Sequence, residues 1–162
     1  MRRTAMLVVA FGALVGPGTQ VRAQEAIGDF YYFERADATS AEDRSSITTL
    51  ADENYVSGAG GLTFRCAPGG FEMVVTATYL GRNTSTPVSY VFGDEEPKTA
   101  SWGLRSTGMA AIAPPEARDE FLARGVAEES VVVRVSDFQL RSHTYTFNLN
   151  GLAAGLTRLT CR

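Results

Sequence analysis

The chain has 162 residues, a formal net charge of −3 and 44% hydrophobic residues. An acidic balance gives no support to nucleic-acid or anionic-membrane binding, both of which want a basic stripe. Only two cysteines, Cys66 and Cys161, are present, which excludes a dense disulfide scaffold of the small secreted kind.

Residues 1–23 have the three parts of an export signal. Arg2 and Arg3 give the positive start, Ala5–Val15 is apolar apart from Gly12, and Val21-Arg22-Ala23 places small residues for cleavage before Gln24. The apolar run is about half of what a helix needs to cross a bilayer. No cysteine stands near the cut to carry a lipid anchor. Residues 24–162, roughly 139 in number, are expected to form a single soluble domain. Removing Arg2, Arg3 and Arg22 takes the net charge from −3 to about −6. A periplasmic or secreted location, with no integral membrane segment after signal removal, is the expectation.

The mature part opens with a strand candidate in Gly28–Phe33, followed by a polar stretch over Asp37–Ser46 and a short strand at Ile47–Leu50. Asp52–Gly61 reads as a loop. Leu62, Phe64 and Cys66 then alternate with Thr63 and Arg65, which turns the cysteine to the apolar face. Pro68-Gly69-Gly70 signals a turn, after which Phe71, Met73, Val75, Ala77 and Tyr79 share one face of a second arm. Further strands are expected at Val88–Phe92, at Thr99–Arg105 with Ala100, Trp102 and Leu104 on one face, and at Met109–Ala113, whose inward face is ambiguous.

Pro114-Pro115-Glu116 predicts a helix start, with Ala117, Phe121 and Leu122 as its apolar stripe and Gly125 as its stop. Val131, Val133 and Val135 form the inward face of the next strand. Tyr145, Phe147 and Leu149 do so for the last one, His143–Leu149. Asn150 is placed to cap a terminal helix carrying Leu152, Leu156 and Leu159. The expected fold is therefore mostly β: an antiparallel β-sandwich or curled sheet with two short helices, the second C-terminal. That terminal helix would deliver Cys161 to the end of the Cys66 strand.

Two cysteines allow one intramolecular pairing, and an exported chain favours it over two buried free thiols. Its loop would enclose roughly 95 residues, for which chain entropy gives about 4–5 kcal/mol as an upper-end figure.

No catalytic, cofactor-binding or metal site emerges from the residues. His143 is the only histidine, and neither a serine elbow nor metal-ligand spacing partners it, so a structural role is expected. Asp94-Glu95-Glu96 reads as solvated charge at a hairpin tip, without the spaced oxygens of a calcium loop. Gly58-Ala59-Gly60-Gly61 precedes a strand and has no following Lys-Ser or Lys-Thr, unlike a phosphate cradle. Asn83-Thr84-Ser85 matches a glycosylation acceptor, Trp102 is expected in the core, and Arg65 and Arg134 either pair on a partly covered face or reach solvent.

The order of several segments resembles the VasI-like family of type VI secretion-associated proteins. Leu62-Thr63-Phe64-Arg65-Cys66, Tyr79-Leu80-Gly81, and Ser101-Trp102-Gly103-Leu104-Arg105-Ser106-Thr107-Gly108 carry the first part of this resemblance. Val131-Val132-Val133-Arg134-Val135, Phe147-Asn148-Leu149-Asn150-Gly151-Leu152 and Cys161 carry the closing part. The family's aspartate between Thr107 and Gly108 is missing here, so no role of that acid transfers. The resemblance implies an exported accessory protein with no established enzyme activity.

The expected function is a non-catalytic interaction or accessory module of the cell envelope, linked by resemblance to a type VI-like apparatus and acting on a protein partner. The alternative is a small cell-wall-directed hydrolase using carboxylates. A pocket with converging carboxylates would favour that alternative, and an apolar patch or open sheet edge the module.

Overall fold

The structure, a computed structural model, describes residues 24–35, 42–52 and 59–162. The expected leader, residues 37–41 of the polar stretch, and residues 53–58 of the following loop lie outside the described residues. The strands are β1 (Glu25–Ile27), β2 (Phe30–Phe33), β3 (Ser46–Leu50), β4 (Gly61–Ala67), β5 (Gly70–Thr76), β6 (Ser85–Phe92), β7 (Lys98–Leu104), β8 (Ala110–Ile112), β9 (Ser130–Ser136) and β10 (Ser142–Asn148). Two short helices, α1 (Pro115–Arg124) and α2 (Leu152–Leu156), complete the described elements.

All ten strands belong to one antiparallel sheet in the order β1-β2-β3-β4-β5-β8-β7-β6-β9-β10. Of the two expected architectures, the curled sheet is the one formed. Its curl returns β10 toward β3: Ala51 and Phe147 form a single bridge, and the Asp52 amide donates to the Thr146 carbonyl at 2.9 Å. This contact does not close the sheet into a barrel.

Period-two alternation explains which face is concave. Leu62, Phe64 and Cys66 of β4 pair with Val75, Met73 and Phe71 of β5, so matching apolar residues reach the same side. Val131, Val133 and Val135 are fully buried there, beside Val88, Tyr90 and Phe92 of β6 and Tyr145 and Phe147 of β10. Ala111 resolves the ambiguous face of β8 by pointing inward. Pro87 lies in the centrally placed β6, but the β9 pairing begins only at Val88, so its missing N–H breaks no bond on that side.

Helix α1 begins at Pro115 and covers the core with Ala117 and Phe121, as the stripe predicts. Gly125 follows its last residue, and only glycine fits there. Its backbone is ordinary right-handed helix, but a Cβ there would lie 2.6 Å from the Phe121 carbonyl oxygen and 2.9 Å from Leu152. The terminal leucines Leu152, Leu156 and Leu159 are all buried.

Three expectations need correction. β1 is an additional strand, and Gly28-Asp29 forms its turn into β2 instead of opening the strand. Tyr79 is exposed because β5 ends at Thr76, which breaks the alternation before it reaches that ring. Asn150 does not cap α2. Gly151 occupies the N-cap at φ 90°, and the Asn150 carbonyl instead accepts the Asp29 amide at 2.9 Å. This locks the β1–β2 turn against the start of α2. The approach is so close that a Cβ on Gly151 would sit 2.1 Å from the Ile27 carbonyl oxygen.

Candidate functional site

The covalent staple is present. Cys66 and Cys161 are joined with S–S 2.02 Å and Cα atoms 5.6 Å apart, across a sequence separation of 95. Cys66 faces inward from β4, and the segment after α2 brings Cys161 to it. Asp43 secures the same junction from a third segment. Its Oδ2 accepts the Thr160 amide at 3.1 Å and the Thr160 hydroxyl at 2.6 Å, while Oδ1 accepts the Ser45 amide at 2.7 Å. Partial burial opposes ionisation of this carboxyl, but the hydrogen bonds from Thr160 and Ser45 outweigh it and lower its pKa. In sequence Asp43 is one residue of an undifferentiated polar stretch, since nothing local marks a carboxylate whose partner is 117 residues away.

His143 meets a carboxylate across the β9–β10 turn. Its Nε2 lies 3.1 Å from Oδ2 of Asp137, a buried carboxylate at the β9–β10 turn. The same carboxylate accepts the Gln139 amide at 2.8 Å, the Arg141 amide at 2.9 Å and the Arg141 Nε at 2.8 Å. Burial pushes the Asp137 pKa up, but the His143 hydrogen bond, with those from Arg141 and Gln139, more than reverses this and holds the carboxyl well below the usual range. Because Asp137 stays ionised, the histidine nitrogen facing it is the donor.

The depressed Asp137 pKa fixes the sign of a pH effect. Stability from this group is fully present above the unfolded-state pKa of about 4 and is lost as pH falls through the lower native value. Asp137→Asn is therefore expected to lower the urea midpoint at pH 7, with the gap to the parent narrowing below about pH 4.

Other candidates settle individually. Arg65 donates to Glu72 from Nε at 3.1 Å and from a terminal nitrogen at 2.8 Å, and Arg105 reaches the same oxygen at 2.5 Å. Arg134 is exposed. Glu95 pairs with Arg124 of α1, which also bonds Glu128 at 3.2 Å; among the described residues no group of three or more His, Cys, Asp or Glu is arranged to hold a metal ion. Trp102 is fully buried, with Phe121 and Tyr90 against it at 6.2 and 6.4 Å between ring centres. The Tyr90 hydroxyl donates to Glu120 at 2.8 Å, and burial with this acidic neighbour pushes its pKa up to about 12. Asn83-Thr84-Ser85 sits exposed where β6 begins.

An open cleft of about 600 Å³ lies between the α1–β9 connection and the β10–α2 turn. Asp29, Glu128, Glu129, Asn148 and Asn150 contribute its polar lining, and Val126 and Leu149 its apolar part. Asp29 and Glu129 are exposed, while Glu128 is engaged by Arg124. Sequence spacing could not reveal this grouping because it joins the β1–β2 turn to residues about a hundred positions later.

No known protein family matches the chain by sequence, and no curated protein does. Among solved structures, the invasion associated protein B of Bartonella henselae is similar in fold, with a TM-score of 0.57 over 84% of this chain and 93% of that one. The two are 13% identical, so what they share is the curled, helix-capped sheet.

Proposed function

We propose that this protein is an exported, disulfide-stapled, non-catalytic interaction or accessory module of the cell envelope. The Cys66–Cys161 bond carries the reading, because such a bond persists in an oxidising compartment and is rare in the cytosol. No described helix is long and apolar enough to cross a membrane. The one histidine lies against Asp137 at the β9–β10 turn, with no serine or free thiol bonded to its ring among the described residues. The association with invasion in the Bartonella henselae neighbour's name supports an accessory role. The resemblance of segment order to VasI-like proteins supports participation beside a type VI-like apparatus, with a protein partner docking on the stapled sheet.

The cleft favours a second reading, a hydrolase of cell-wall glycan using Asp29 and Glu129. Digestion of purified peptidoglycan separates the two. The module releases no reducing ends above buffer, whereas a hydrolase releases them and loses the activity in Glu129→Gln.

A further inference from the structure

Three turns meet at one end of the sheet: the segment after β5, the β7–β8 turn and the β9–β10 turn. The Leu80 amide donates to the Gly108 carbonyl at 2.6 Å, and the Ala77 amide to the Met109 carbonyl at 3.0 Å. Tyr79 and Phe138 meet edge to face at 5.5 Å. Gly108, at φ 66°, permits this convergence, since a Cβ there would lie 2.1 Å from the Gly81 carbonyl oxygen and 2.7 Å from the Tyr79 ring.

These turns expose most of the large apolar side chains that the described surface shows. Leu140 is 86% exposed, Phe138 53%, Met109 51% and Tyr79 41%. Leu140 also occupies the left-handed region at φ 61°, the only described residue other than glycine to do so. It follows a turn closed by its own amide donating to the Asp137 carbonyl at 2.9 Å, a geometry that ordinarily takes glycine or asparagine. A branched apolar residue in that backbone state is strained, and folding gains nothing from a side chain left in water. Such a violation of local rules is expected where function requires it.

The unpaired charge in the turns of the tip is a single cation, Arg82. The three turns contain Arg82, Arg105 and Arg141 and a single acid, Asp137, which is buried beneath its own turn. Arg105 is turned toward Glu72 and Arg141 toward Asp137, while Arg82 is exposed with no ion-pair partner among the described residues. The acidic excess of the chain lies elsewhere, so net charge conceals this local polarity.

We infer that the tip formed by Tyr79, Met109, Phe138 and Leu140 inserts into the interface of an anionic lipid bilayer, with Arg82 at the headgroups. A lipid interface accepts protruding apolar side chains flanked by cations without needing a shaped pocket. A protein partner would need a complementary hollow to cover side chains this exposed. This placement goes beyond the accessory reading and holds whether or not the sheet also binds a protein.

Flotation of the purified protein with vesicles of phosphatidylcholine containing about a third phosphatidylglycerol tests it. The protein is expected to float with these vesicles at low salt and much less with phosphatidylcholine alone. Leu140→Gly suits the backbone there, so it is expected to fold at least as stably while reducing partitioning roughly tenfold. Arg82→Ser is expected to cost about fivefold on the anionic vesicles and nothing on neutral ones. Parent protein that stays unbound on anionic vesicles at low salt overturns the inference. So does unchanged flotation of a folded Leu140→Gly, or self-association that disappears in this variant without any vesicle binding.

Discussion

Cys66→Ser is expected to lower the melting temperature by roughly 10–20 °C in the absence of reductant. The bond closes a separation of 95 residues, and cross-linking so long a loop removes entropy from the unfolded chain worth up to about 4–5 kcal/mol. It also holds the segment after α2 to β4, alongside the Asp43 hydrogen bonds to Thr160. With reductant the parent is expected to fall to the variant's melting temperature, while the variant hardly moves. Scanning calorimetry of both proteins with and without dithiothreitol provides the comparison, and equal melting of the two without reductant would remove the staple from the stability account.

Phe121→Ala is expected to destabilise by about 3–5 kcal/mol, the range for deleting a buried aromatic ring. Phe121 is fully buried and is the point where α1 meets the sheet, with ring centres of Tyr90 and Phe92 at 4.8 and 5.0 Å and Trp102 at 6.2 Å. The neighbouring rings come from two separate strands, so collapse of one cannot fill the space without moving the others. Trp102 is the single tryptophan, and its emission reports the loss directly: a lower urea midpoint with a red-shifted native spectrum is expected. Phe138→Ala removes the same ring from an exposed turn and is expected to change the midpoint by less than about 1 kcal/mol.

The strands of this protein were legible wherever one face is buried and the other wet. β4, β9 and β10 alternate cleanly, so their inward residues follow from sequence. β1 was not legible, because Glu25-Ala26-Ile27 carries no alternating pattern and is held by pairing with β2 and by contact with α2. The order of strands was equally hidden. β8 lies between β5 and β7 through only a few paired residues, and no local signal encodes that insertion. The helix stop at Gly125 was legible, but glycine is required there by close contact with the Phe121 carbonyl and Leu152 and not by a left-handed turn conformation. Asn150 misled because a capping residue type stood in the right place, while contact with the β1–β2 turn claimed its backbone and gave the cap to Gly151.

Of the candidate sites, the sulfur pair could be read from residue count and the expectation of export. The Asp137 turn could not, since its carboxylate gathers partners across a hairpin whose geometry depends on a leucine in a glycine-like conformation. The carboxylates of the open cleft share the same obstacle: Asp29 and Glu129 come to line one cleft only in the folded chain. Apolar exposure at the turns was hidden for a related reason. Tyr79 continues an inward alternation in sequence, and only the early end of β5 turns it outward.

Intact-mass and non-reducing peptide analysis of protein from fractionated cells tests the central claim most directly. The account predicts envelope or medium material that begins at Gln24 and yields one linked peptide pair containing Cys66 and Cys161. Cytoplasmic protein that retains residues 1–23 and carries both thiols free would contradict it.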